Sequence, residues 1–158
     1  MKYTRLTKEQ FEALHQEFIN FLATQSITSD EWQNIKENKP EVAEQELDVF
    51  SDLVWEGALS QAKFLENVSA QQLFLFKVGE TKMSLIVVKV TNETKDITTV
   101  EGYEWLQQNF ASDEVEFFTS TKDFSEDKSM DIFSLVKQGA IITKGELFVF
   151  FETILNKK

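Results

Sequence analysis

The chain has 158 residues, with 27 Asp or Glu against 16 Lys or Arg, so its formal net charge at pH 7 is −11. Hydrophobic residues make up 42% of the chain and aromatic residues 13%, which is enough apolar surface to offset the entropy lost on folding and excludes a disordered acidic chain. The absence of cysteine excludes disulfides, catalytic thiolates and cysteine-ligated metal sites. We expect one folded domain over residues 1–158.

The sequence contains no pattern typical of a membrane span or a signal peptide. Its longest apolar run, residues 147–151, is far shorter than the roughly 20 residues that a spanning helix needs. Residues 1–8 are mostly polar and lack the apolar core of a signal peptide. No basic cluster is present, and phosphates would repel so acidic a chain. We therefore expect a cytoplasmic protein that binds neither membranes nor nucleic acid.

The first half of the chain has helical periodicity. Thr7 and Gln10 have the spacing of a capping box, which predicts a helix over residues 7–24. A shorter helix is predicted over residues 30–38. Pro40 suits the first turn of a helix and predicts a third, longest helix over residues 40–61.

The second half changes to the alternation that is typical of strands. Residues 73–91 predict a β-hairpin whose longer arm is too apolar for a solvated edge and should be internal in its sheet. Thr143 and Glu146 repeat the capping-box spacing and predict a closing helix. The fold class is α+β, with a helical N-terminal half packed on a small, mainly antiparallel sheet and further C-terminal helices. The mixed remainder, residues 99–156, is predicted as a helix over 99–110, a strand over 115–119, a helix from 125 to 139, a short strand at 140–142 and a helix over 147–155.

The motifs of several enzyme classes are missing from the sequence. There is no phosphate-binding loop, no dinucleotide-binding glycine pattern, and no zinc-protease or serine-hydrolase motif. His15 is the single histidine, which excludes catalysis by paired histidines, and it is expected at the edge of the first helix's apolar face. We predict no catalytic residue, no cofactor and no metal ligand.

The third predicted helix concentrates negative charge. Residues 41–56 hold six acids and no base, and four of the acids recur every four residues on one face. Each like-charged step of this kind costs about 0.2–0.5 kcal/mol unless cations lie opposite. Two apolar residues fall among these acids instead of on the apolar stripe. The candidate partner-binding residues are therefore Glu44, Asp48, Asp52, Trp55, Glu56 and Leu59.

Two interpretations of this helix remain open. In the first, the helix is sandwiched, Trp55 packs against the sheet or the first helix, and the acids face Lys or Arg of the same chain. In the second, Trp55 is exposed within an acidic patch, a pattern that suits a basic protein partner. The second interpretation gives the leading hypothesis, a non-enzymatic protein-interaction domain that binds a basic partner through an acidic helix.

Two alternatives use the same charges differently. The spacing of Glu41, Glu44 and Asp48 resembles that of helical phosphohydrolases, which use helix carboxylates to bind Mg²⁺ or Mn²⁺. Alternatively, the acids imitate a phosphate backbone in a DNA-mimic or toxin-neutralising inhibitor, which would require those of the third helix and of residues 113–131 to form one face. The sequence leaves the oligomeric state open.

Three segments carry a resemblance to a known family. Residues 2–9 (KYTRLTKE), 50–56 (FSDLVWE) and 145–148 (GELF) resemble a bacterial family of small acidic proteins of similar length, a domain of unknown function. The similarity spans most of the chain. It implies a single domain in the bacterial cytosol and no particular activity, so it assigns no catalytic residue.

Overall fold

The computed structural model describes residues 1–157, which form two compact units. Met1–Ser60 is helical, whereas residues 61–157 build a five-stranded sheet with accompanying helices. This arrangement confirms the predicted α+β class. Among the described helices, none combines the length and the apolar character that a membrane span requires.

The first unit contains four helices whose starts follow the predicted capping chemistry. Thr7 accepts a hydrogen bond from the backbone N–H of Gln10, whose side chain bonds back to the backbone of Thr7, as a capping box requires. Thr28 caps the third helix through Glu31 N–H. The four helices are α1 (Lys8–Ala13), α2 (His15–Ala23), α3 (Ser29–Asn38) and α4 (Pro40–Gln61).

The helix predicted over residues 7–24 is interrupted, which corrects that prediction. Leu14 has φ −105° and ψ 24° and separates α1 from α2. Hydrogen bonds from Leu14 N–H to Gln10 and from Phe18 N–H to Leu14 continue across the break, so apolar periodicity alone did not reveal it. Phe11 before the break and Phe18 after it both contact Phe50 of α4.

Aromatic rings form most of the core of the first unit. The Phe18 ring lies 5.0 Å from Phe50 and 5.3 Å from Trp32, edge to face in both pairs, a geometry that aromatic quadrupoles favour. Leu6 and Leu22 complete the buried part, and partly buried apolar side chains, Trp55 among them, pack around it. We call this group the aromatic cluster.

The second unit is built on an antiparallel sheet in the order β4-β3-β2-β1-β5. The predicted hairpin corresponds to β2 and β3, and β3 is internal as expected. Two features differ from the sequence prediction: β1 was missed, and β4 is longer than the predicted strand over residues 115–119. The strands are β1 (Phe64–Ser69), β2 (Gln72–Val78), β3 (Lys82–Val90), β4 (Val115–Asp123) and β5 (Ile141–Thr143).

Alternation along the strands divides the sheet into two faces. Leu75 of β2 and Ile86 of β3 are cross-strand partners on one face, where they join the buried cluster that includes Leu106 of α5 (Val100–Asn109) and Phe151 of α7 (Glu146–Asn156). The other face carries Phe76, Leu85 and Phe118. Helix α6 (Lys128–Lys137) lies at that face, where its Leu135 lines an open groove together with Phe76 and Leu85.

The predicted end of α6 is confirmed, whereas the predicted capping of α7 is corrected. Gly139, with φ +111°, follows the end of α6 as predicted. The predicted capping box at Thr143 is wrong, although the helix after it exists. Gly145, with φ +84°, precedes α7, and the Thr143 hydroxyl instead accepts a hydrogen bond from Gly145 N–H. A Cβ at Gly145 would lie 2.3 Å from the Phe64 ring, so the close approach favours glycine at this position.

Candidate functional site

Four acids of α4 form one continuous row along the helix: Glu44, Asp48, Asp52 and Glu56. We call these four residues the carboxylate row. Their four-residue spacing places them on one side of a long, regular helix. Residues 2–6 of the same chain lie along the row and contact each of its members.

Arg5, the single arginine of the chain, binds the N-terminal half of the row. Its Nε donates to Asp48 Oδ1 at 2.7 Å, its Nη2 lies 2.6 Å from the same oxygen, and its Nη1 donates to Glu44. These hydrogen bonds, first to Asp48 and then to Glu44, raise the pKa of the Arg5 guanidinium. A planar guanidinium with several fixed N–H donors suits two neighbouring carboxylates better than an ammonium does.

The C-terminal half of the row binds both backbone and side-chain donors. The Asp52 carboxylate accepts the backbone N–H of Lys2 at 2.7 Å and that of Tyr3 at 2.9 Å, one on each oxygen. Glu56 accepts the Tyr3 hydroxyl and lies 3.8 Å from Lys2 Nζ. Partial burial and the hydrogen bond to Glu56 raise the pKa of Tyr3. The row therefore binds an extended segment through its backbone as well as through its charges.

A buried contact holds residues 2–6 in register with the helix. The backbone N–H of Leu6 donates to Ser51 Oγ at 3.0 Å, and Ser51 Oγ donates to the Leu47 carbonyl at 2.8 Å. Ser51 is fully buried, and Leu6 belongs to the aromatic cluster. The segment thus ends in the core, while its charged part follows the surface of α4.

The structure places the two apolar candidates away from an exposed patch. Trp55 is half-buried and packs against the aromatic cluster, as in the interpretation in which this helix is covered by its own chain. Leu59 is only 1% exposed, so it does not belong to the surface that we expected it to share with the acids. Helical spacing located both residues near the acids, but it did not show what packs over that side.

Cations of the same chain lie beside three of the four acids of the row. Arg5 lies between Glu44 and Asp48, and Lys2 lies beside Glu56, which offsets the repulsion of about 1 kcal/mol expected for three like-charged steps. The pairs are partly exposed, with 39% of the Arg5 side chain and 33% of that of Asp48 accessible, so each contributes roughly 0–1 kcal/mol. The signal that sequence reasoning missed was the basic character of residues 1–8, which hold Lys2, Arg5 and Lys8 and no acid.

The geometry gives little support to a metal site on α4. Within residues 1–157, no three His, Asp or Glu side chains are grouped closely enough to hold a metal ion. Glu44 and Asp48 instead share the Arg5 guanidinium. The single histidine, His15, is exposed on α2.

The fold and the site define an α+β protein in which a carboxylate row on a long helix binds the basic residues 2–6 of the same chain. The chain belongs to the family of unknown function DUF6495, whose pattern matches residues 1–156. No curated protein and no solved structure resembles the chain at a significant level.

Proposed function

We propose that this protein is a non-enzymatic interaction domain whose carboxylate row binds an extended basic segment of a partner protein. The observation that carries the proposal is the way residues 2–6 lie on the row, with a guanidinium at one end, two backbone N–H groups on Asp52 and a phenol on Glu56. These contacts are those of a peptide ligand, because backbone donors give affinity and side chains give selectivity.

In this proposal the chain's own segment occupies the row until a partner displaces it. Occupation in cis is favoured by a high effective concentration, which a partner must overcome with additional contacts. A partner that carries one Arg and a second cation three positions earlier would reproduce the contacts of Arg5 and Lys2. Weakening the cis segment should therefore increase the affinity for a basic peptide.

The test uses a fluorescent peptide with the sequence of residues 2–6, KYTRL, and measures its binding by anisotropy. The Arg5→Ala variant should bind the peptide roughly tenfold more tightly than the unaltered chain. Replacing the peptide's Arg by Gln, or adding Asp48→Asn to the Arg5→Ala variant, should abolish the gain.

Equal binding to the unaltered chain and to the Arg5→Ala variant would reject the proposal, as would a gain that persists in the Asp48→Asn background. Asp113→Asn is the matched control, because Asp113 is an exposed aspartate outside α4. It should leave the affinity of the Arg5→Ala variant unchanged. If the peptide binds as expected, the same Arg5→Ala variant becomes the bait for a cellular partner, and the KYTRL peptide becomes the specific eluent.

The two alternatives from the sequence remain predictions. No group of carboxylates within residues 1–157 favours the phosphohydrolase over the peptide-binding function. An inhibitor that imitates DNA would use the same acids, with a basic DNA-binding protein as its partner. The peptide experiment does not test this alternative.

A further inference from the structure

Strand β4 has one open edge. It is an end strand of the sheet and pairs only with β3 within residues 1–157. Seven of its nine residues are exposed, and the Phe118 side chain is 54% exposed. A long edge strand presents a row of backbone donors and acceptors that another strand can pair with, and proteins usually shorten, charge or cover such edges.

The alternation of hydrogen bonds between β3 and β4 shows which backbone groups of β4 point away from β3. Just beyond the two ends of the β3–β4 ladder, Thr91 N–H donates to the Glu114 carbonyl and Phe124 N–H donates to the Thr81 carbonyl. Bonding pairs alternate along an antiparallel ladder, so the even-numbered residues of β4 direct their N–H and C=O groups to β3. The odd-numbered residues Phe117, Thr119 and Thr121 direct theirs to the open edge.

A second copy of the same strand fits this edge in one antiparallel register. When two β4 strands meet about a twofold axis at Thr119, the outward groups of Phe117 lie opposite those of Thr121 of the other copy. Thr119 lies opposite itself. All the facing groups in this register come from odd-numbered positions, so each outward N–H meets an outward carbonyl.

The side chains of β4 are complementary in that register. Glu116 of one copy lies directly opposite Lys122 of the other, and the twofold axis repeats the pair. Both residues belong to a non-hydrogen-bonded pair, in which side chains approach most closely. Phe118 lies opposite Ser120, and the two Phe118 rings become diagonal neighbours across the axis. Helix α7 packs over β2 and β3, and Phe117 contacts Phe151 of that helix from the edge of the sheet.

We infer that β4 is a self-association edge, through which two copies of this chain join their sheets by antiparallel β4–β4 pairing centred on Thr119. The occupant is a second copy because the charge pattern of β4 is complementary to itself under the twofold axis. The interface is one strand wide and therefore smaller than that of a standard stable complex, so we expect a weak dimer that forms as the protein concentration rises.

Sedimentation velocity over a range of protein concentrations tests the inference. The unaltered chain should change from monomer to dimer, and Thr119→Pro should raise the dissociation constant at least about tenfold. Because the Thr119 N–H points away from β3, proline removes no hydrogen bond of the β3–β4 ladder, and proline is tolerated at such edge positions. Thr119→Val, which keeps the N–H, should dimerise like the unaltered chain. A chain that stays monomeric at the highest concentration, or a dimer that Thr119→Pro leaves intact, overturns the inference.

Charge reversal tests the register. Glu116→Lys places Lys opposite Lys and should weaken the dimer roughly tenfold, since two like-charged cross-strand pairs replace two favourable ones. Adding Lys122→Glu to that variant restores opposite charges in both pairs and should recover most of the affinity. Failure of the second substitution to rescue the first contradicts the register.

Because the chain has no cysteine, single cysteines give an independent measurement. Cys residues introduced by Thr119→Cys lie opposite each other at the axis and should form an intermolecular disulfide under mild oxidation. Those introduced by Thr121→Cys share the strand, the face and the exposure, but they lie four positions apart in the pairing, or about 13 Å, beyond disulfide reach. Equal cross-linking of the two variants, or cross-linking of neither, contradicts pairing centred on Thr119.

Discussion

Leu6 and Ser51 are 45 residues apart in the sequence, and their hydrogen bond is 3.0 Å long in the core of the helical unit. The Ser51 side chain is fully buried and makes a second bond to the Leu47 carbonyl. One hydroxyl therefore satisfies a backbone donor and a backbone acceptor from two separate segments. A buried backbone N–H that loses its acceptor costs about 1–3 kcal/mol.

This contact predicts the effect of Ser51→Ala. The substitution should lower the free energy of unfolding by about 1–2 kcal/mol, because Leu6 N–H loses its acceptor while the side-chain volume hardly changes. Chemical denaturation measures the difference. Ser60→Ala is the matched control, since the exposed Ser60 hydroxyl donates to the Gly57 carbonyl of the same helix and not to a separate segment of residues 1–157, and its effect should stay within about 0.5 kcal/mol. Equal effects at both positions would mean that the Leu6 bond adds no stability.

The Arg5 contacts predict a salt-dependent loss of stability. Arg5→Gln should lower the free energy of unfolding by about 0.5–1 kcal/mol at low salt, because Asp48 and Glu44 lose their shared cation and repel each other again. High salt should reduce the difference, since exposed pairs are screened. The stability of Arg5→Lys should fall between that of the unaltered chain and that of Arg5→Gln, because lysine keeps the positive charge but lacks the forked N–H donors of the guanidinium. Lys8→Gln, at an exposed cation of α1, should have a smaller effect. A difference that does not depend on salt would argue against an electrostatic cause.

Two helical glycines predict opposite effects of the same substitution. A Cβ at Gly102 of α5 would lie 1.7 Å from the Asp96 carbonyl oxygen, whereas a Cβ at Gly57 of α4 meets no atom within 4 Å. Gly102→Ala should therefore destabilise the protein by about 1–3 kcal/mol through a backbone clash. Gly57→Ala should stabilise it by about 0.5–1 kcal/mol through helix propensity. Thermal and chemical denaturation of the two variants checks the prediction, which is wrong if both change stability in the same direction.

Replacing Glu66 should give a gain in stability that depends on pH. Burial, and then the nearby charge of Glu146, raise the pKa of the Glu66 carboxyl above its ordinary value, so the folded state binds this proton more tightly than the unfolded state does. The free energy of unfolding therefore falls as pH rises from the ordinary carboxyl range through the raised value. Glu66→Gln should remove that loss and stabilise the protein at neutral pH, with no gain at about pH 4.

The control for this prediction is Glu104→Gln, at an exposed acid of α5. It should give no comparable gain at neutral pH. A gain from Glu66→Gln that is equally large in acid would contradict the pKa explanation and would point to packing instead.

Local chemistry determined the elements that sequence reasoning placed correctly. The helix over 40–61 was predicted from Pro40 and the apolar spacing, and α4 covers Pro40–Gln61. The hairpin was predicted from alternation and corresponds to β2 and β3. By contrast, β1 has the sequence FLENVS, whose polar residues obscure a strand that is defined by its two neighbours, β2 and β5.

Only one half of the candidate site, the acids of α4, could be predicted, because only that half depends on a local pattern. The spacing of the acids on α4 gave the carboxylate row, because the period of a helix is a local property. The segment that occupies the row was not found, since Arg5 and Asp48 are 43 residues apart and no local pattern connects an extended segment with a helix. Leu59 shows the same limit, because helical spacing places a residue on a face but does not show which element covers that face.

The position of residues 2–6 also has a consequence for the order in which the protein is made. A ribosome synthesises the segment that carries Arg5 first, but its acceptors Asp48, Ser51 and Asp52 follow more than 40 residues later. Residues 2–6 can therefore take their place in the helical unit only after α4 has emerged from the ribosome.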